Sequence, residues 1–63
     1  MKYKKGDEVW GTYNGVIRKG NVVKIADGAF PYVVDFEGET RFANCGDEDL
    51  FGTREELVEE LEK

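Results

Sequence analysis

The sequence predicts a mainly β fold: a small barrel of five short strands followed by a short C-terminal α-helix. Three observations carry this. Residues 32–42 place two β-rich runs around a Gly-containing turn, the pattern of a β-hairpin. Residues 8–13 alternate in the strand period. Thr53, with Glu56 three positions on, forms a capping box ahead of the apolar Leu57, Val58 and Leu61. The barrel is expected over 6–51 and the helix over about 54–62, all 63 residues forming one domain.

The hairpin sets the expected register. Pairing Phe36 with Thr40 and Val34 with Phe42 gathers all four side chains on one face, whereas a one-residue slip sets Phe36 beside Arg41. The connection is then a three-residue loop of Glu37, Gly38 and Glu39. Its glycine sits in the middle rather than last, so a bulge is expected nearby.

Along the chain, Gly6 and Asp7 make a turn that opens the first strand. Val9, Gly11 and Tyr13 share one face of that strand, with Trp10 and Thr12 on the other. Asn14 and Gly15, a dipeptide tolerant of positive φ, break the run. A long second strand over 16–25 is expected to kink or bulge at Gly20, with Val23 and Ile25 inward and Val22 and Lys24 outward. Residues 26–31 form a loop in which Pro31 holds Phe30 extended. Leu50 and Phe51 return to the core as a short fifth strand or a single 3₁₀ turn. A helix of about nine residues is marginal alone, so its narrow apolar stripe must dock on the barrel or on a partner. The expected core is Val9, Val23, Ile25, Val34, Phe36, Phe42, Leu50 and Leu57.

So short a chain buries only about 60% of its unfolded surface, which leaves no sizeable interior. Net charge is −5, unevenly spread: the first 30 residues carry +3 and the remainder −8. Two surfaces of opposite sign follow, although much of the acidic excess belongs to the solvated face of the terminal helix. The single cysteine, Cys45, has no partner for an internal disulfide, and no apolar run has the length of a signal-peptide core or membrane span. A cytoplasmic protein with no membrane association is expected. Monomer is preferred to oligomer.

Two stretches resemble known small barrels. Gly6, Asp7, Glu8 and Val9, taken with residues 20–25, look like a KOW pattern, a Gly-Asp-x-Val opening followed by Gly-x-Val-x-x-Ile. Residues 32–36 with the later Asp49 and Leu50 look like the third-to-fifth-strand portion of SH3-like domains. The chain therefore resembles the SH3-like small β-barrels, KOW and Tudor modules among them, including short phage or bacterial proteins of unassigned function. The resemblance covers residues 6–51 and implies the barrel more than any ligand.

Catalytic chemistry has little to work with. There is no Ser and no His, and Cys45 lies among acids that keep its thiol protonated. Zinc lacks its usual ligands, and the run Asp47, Glu48, Asp49 lacks the spacing and central Gly of a calcium loop. No catalytic residue, metal or cofactor is expected, and the acidic run reads as a solvated loop.

Binding offers more. Trp10, Tyr13, Tyr32 and Phe36 are the aromatics from which Tudor-type domains would build a cage for a methylated cation, although the strand period separates Trp10 from Tyr13. Trp10 beside Val22 and Tyr3 would instead form an apolar patch of the kind that binds proteins. Arg18, Lys19 and Lys24, with the arm of Lys2, Lys4 and Lys5, could contact phosphates next to that aromatic ring. The preferred expectation is a non-catalytic module that binds a protein partner through Trp10, Tyr13, Arg18, Lys19, Val22 and Lys24. The alternatives are single-stranded nucleic-acid binding through the basic second strand, and an acidic nucleic-acid mimic that inhibits an enzyme.

Overall fold

A computed structural model describes residues 1–63. Four strands, β1 (Glu8–Tyr13), β2 (Val16–Ile25), β3 (Tyr32–Phe36) and β4 (Ala43–Cys45), form one antiparallel sheet in the order β1-β2-β3-β4. A 3₁₀ turn (Asp47–Asp49) and the helix α1 (Arg54–Leu61) complete the chain. The sheet curls into a half-barrel compatible with an SH3-like fold. No helix is long and apolar enough to cross a membrane.

The strand number is four rather than five. What was expected as a fifth strand is a single antiparallel bridge from Phe51 to Trp10, closed by two backbone hydrogen bonds of 2.7 and 2.9 Å. Only Leu50 and Phe51 lie between the acidic turn and Gly52, after which Thr53 starts the helix, so the chain has no length for a longer ladder. Thr53 Oγ1 accepts the Glu56 N–H at 3.2 Å. The helix packs against β1, with Leu57 buried and Leu61 exposed.

Asn14 and Gly15 join β1 to β2 at φ of 52° and 80°, the doubly positive geometry whose twist suits a two-residue hairpin. The bulge in β2 lies at Val23 and not at Gly20, because the register shifts between Val22 and Lys24. Gly20 sits in regular ladder opposite Phe36. A Cβ there would lie 2.8 Å from the Val34 side chain and 2.9 Å from both the Phe36 ring and the Asp35 carbonyl, so glycine serves close approach of β3. The consequence is a correction: Val22, expected outward, faces Val34 in the core at 1% exposure, and Val23, expected inward, is the half-buried extra residue. Beyond the bulge Lys24 faces out, and Ile25 packs against the core as expected.

The hairpin register also differs. Val34 pairs with Ala43, Val33 with Asn44 and Tyr32 with Cys45, one residue from the expected alignment, and the connection spans residues 37–42. Phe42 is consequently 61% exposed. Two causes act together. Gly38, at φ 81°, turns the chain so that the Glu39 N–H reaches the Phe36 carbonyl, where Thr40 was expected to pair, while the Glu39 carboxylate pairs with Arg18 at 3.3 Å, and the turn then runs on through Phe42. The Phe36 ring also already occupies the interior, 3.0 Å from where a Gly11 Cβ would stand, so the small Ala43 and Cys45 line β4's inner side.

The core is Val9, Val22, Tyr32, Val34, Phe36, Cys45 and Leu50, with Tyr3, Tyr13, Ile25 and Ala43 packed against it.

Candidate partner-binding surface

Strand alternation turns Val9, Gly11 and Tyr13 inward and leaves Glu8, Trp10 and Thr12 on the outer face of β1. Across the ladder Trp10 stands opposite Lys19, and Thr12 opposite Ile17. On its other side Trp10 exchanges both backbone hydrogen bonds with Phe51, and directly opposed residues of an antiparallel pair project to the same face. The outer surface therefore carries a continuous strip of Phe51, Trp10 and Lys19 with Ile17 diagonal to the indole. Trp10, Phe51 and Ile17 are all half-buried.

Lys19 is held electrostatically. Its Nζ lies 3.8 Å from Glu8 Oε2 and 3.6 Å from Glu37 Oε1, so the ammonium beside the indole is flanked by two carboxylates. Lys24 shares the outward orientation but lies past the bulge, opposite Val33.

The other expected site residues lie elsewhere. Val22 belongs to the core. Tyr13 faces inward, its ring 6.0 Å from that of Phe36. Arg18, opposite Gly11, is directed away from the Trp10 face and pairs with Glu39, and its Nε has no hydrogen-bond partner. Tyr3 leaves the expected patch as well: its ring meets Tyr32 edge-on at 5.5 Å and its hydroxyl donates to the Leu50 carbonyl at 3.2 Å. Sequence reasoning missed Phe51 because the signal for it, a single bridge pairing, is a long-range contact.

A cage of Trp10, Tyr13, Tyr32 and Phe36 does not assemble. Tyr32 and Phe36 are fully buried on the inner face, and Trp10 is on the outer one. Tyr32 serves as a tie instead. Its hydroxyl accepts the Lys2 and Tyr3 backbone N–H groups at 3.1 and 3.2 Å and donates to Asp47 Oδ1 at 2.6 Å. The bond to Asp47 and burial both raise the Tyr32 pKa above its ordinary value, the bond contributing most.

The acidic turn is thus more structured than a solvated loop. Asp47 anchors Tyr32, and Asp49 Oδ2 accepts the Gly46 N–H at 2.8 Å, while Glu48 makes no ion pair. These acids do not converge as a shell for a cation. Cys45 is buried, and its pKa is pushed up to about 11, by burial first and by the charge of Asp49 second, so its thiol stays protonated at neutral pH.

No protein-family model matches this chain, and neither does any curated protein or solved structure, so what it shares with small barrels is architecture alone.

Proposed function

We propose that the protein is a non-catalytic interaction module of SH3-like type that binds a protein partner through the outer face of β1, with Trp10 and Phe51 as apolar anchors and Lys19 beside them. The observation that carries this reading is the backbone pairing of Trp10 with Phe51, which sets two large, half-buried aromatic side chains next to each other on one face. Aromatic residues of this kind dominate the energetics of protein interfaces, since they remove much apolar area from water at a small entropic cost. Lys24, farther along the same face, would lie at the rim and steer association.

Charge favours a protein over a nucleic acid as the partner. Phosphate binding needs cations free to replace counterions, whereas Arg18 and Lys19 are engaged by Glu39, Glu8 and Glu37. Arg18 and Trp10 also project to opposite faces of the sheet, so a strand stacked on the indole would not meet that guanidinium.

The test is affinity capture from a cell extract with the full chain, followed by binding measurements on the purified partner. The expected result is a partner whose affinity falls by about 2 kcal/mol or more with Trp10→Ala. Capture of nucleic acid alone, with affinity falling steeply as salt rises, would replace this reading with single-strand binding.

A further inference from the structure

A second surface adjoins the Trp10 strip at Phe51. β4 is the last strand of the sheet, so one of its edges is unpaired. Beside that edge opens a cleft of about 400 Å³, with Ala43 and Cys45 of β4 on one side and Leu57 and Leu61 of α1 on the other. Its size falls in the range of about 300–1,000 Å³ in which proteins seat ligand groups. Leu61 is 59% exposed, although the helix stripe to which it belongs is otherwise docked.

The charge around this apolar cleft has one sign. Glu48, Asp49 and Glu60 line it, and no basic residue does. Glu48 and Asp49 make no ion pair, and Glu60 is paired only with the exposed terminal Lys63, at 3.2 Å. A cleft with apolar walls beside the unpaired Glu48 and Asp49 carboxylates repels anions and attracts a cationic ligand that also has apolar surface to bury. The unpaired β4 edge offers backbone donors and acceptors to an extended chain.

We propose that this cleft binds an extended protein segment in which a large apolar side chain is flanked by Lys or Arg. The apolar side chain enters between Leu57, Leu61 and Cys45, the flanking cations meet Glu48 and Glu60, and the segment's backbone lies along β4. The cleft shares Phe51 with the Trp10 strip, but the residues that would hold the segment, Cys45, Glu48, Leu57, Glu60 and Leu61, lie outside that strip.

The test is chemical-shift mapping on the ¹⁵N-labelled full chain with three capped synthetic peptides. The first is Lys-Arg-Val-Leu-Val-Arg-Lys, the second replaces its Val-Leu-Val centre by Ser-Gly-Ser, and the third replaces its basic residues by Glu. The first peptide is expected to give saturable shifts at Ala43, Asn44, Cys45, Glu48 and Leu61. The serine-containing peptide is expected to bind at least about tenfold more weakly, and the acidic peptide not at all. Leu61→Ser and Glu48→Lys, both at exposed positions, should each weaken the first peptide severalfold while leaving the spectrum dispersed.

Equal binding of the first two peptides would overturn the proposal by showing attraction to charge alone. So would shifts centred on Trp10 and Lys19, or no shifts at millimolar peptide. Cleft resonances that move with protein concentration in the absence of peptide would assign the cleft to a second copy of the chain instead.

Discussion

The Tyr32 hydroxyl and the Asp47 carboxylate, 2.6 Å apart, join the middle of the sheet to the acidic turn. The same oxygen holds the backbone of Lys2 and Tyr3, so one side chain secures two segments that have few ladder bonds of their own. Tyr32→Phe keeps the ring and removes this tie. It should lower the melting temperature and speed hydrogen exchange at the Lys2 and Tyr3 amides, with β1 and β2 little affected. Exchange at those two amides that stays at the wild-type rate would show that the hydroxyl does not hold the arm.

Phe36 and Phe42 should behave oppositely. Phe36 is buried over Gly11 and Gly20, and Phe36→Ala should cost about 3–5 kcal/mol, a large share of the stability of so small a domain. Phe42 is exposed, and Phe42→Ala should change stability by no more than about 0.5 kcal/mol. Gly20→Ala should cost about 1–3 kcal/mol, because one of the atoms it meets is the Asp35 carbonyl of the backbone, which cannot rotate away. Urea unfolding of the three variants checks the hairpin register directly.

Cys45 gives the fold a signature in alkali. Its pKa is raised from 9.0 to about 11 in the folded protein, so the folded state favours the protonated thiol. That contribution is complete below pH 9 and is lost as pH rises towards 11. Tyr32, raised above 10.0 chiefly by its bond to Asp47, acts in the same direction as pH rises beyond 10. Melting temperature should therefore decline above pH 9 in the wild type. In Cys45→Ala the decline should begin later, and an identical profile in that variant would remove Cys45 as the cause.

Much of the fold is legible in the sequence because local signals coincide with the tertiary arrangement. The alternation over Glu8–Tyr13, the Asn14 and Gly15 turn and the Thr53 cap all specify structure within a few residues. The misreadings share a cause. Gly20 was expected to mark a bulge, yet its glycine answers to side chains on β3, a contact between residues distant in sequence. The hairpin register was expected to follow the match of Phe42 with Val34, but the interior volume was already filled by Phe36. Once the bulge lies at Val23 instead, the inward and outward positions around it are reassigned, which takes Val22 from the candidate surface into the core. Trp10 was placed on the outer face by alternation alone, whereas Phe51 beside it depends on a single non-local bridge.

Trp10 is the only tryptophan in the chain, so its fluorescence reports on the proposed interface without a label. The most direct measurement is the emission of Trp10 as the purified partner is titrated in, using a partner protein whose own tryptophans have been replaced. A saturable blue shift with protection from acrylamide quenching, at an affinity that changes little with salt, is the predicted result. Emission and quenching that stay unchanged while the partner binds would contradict a Trp10 interface.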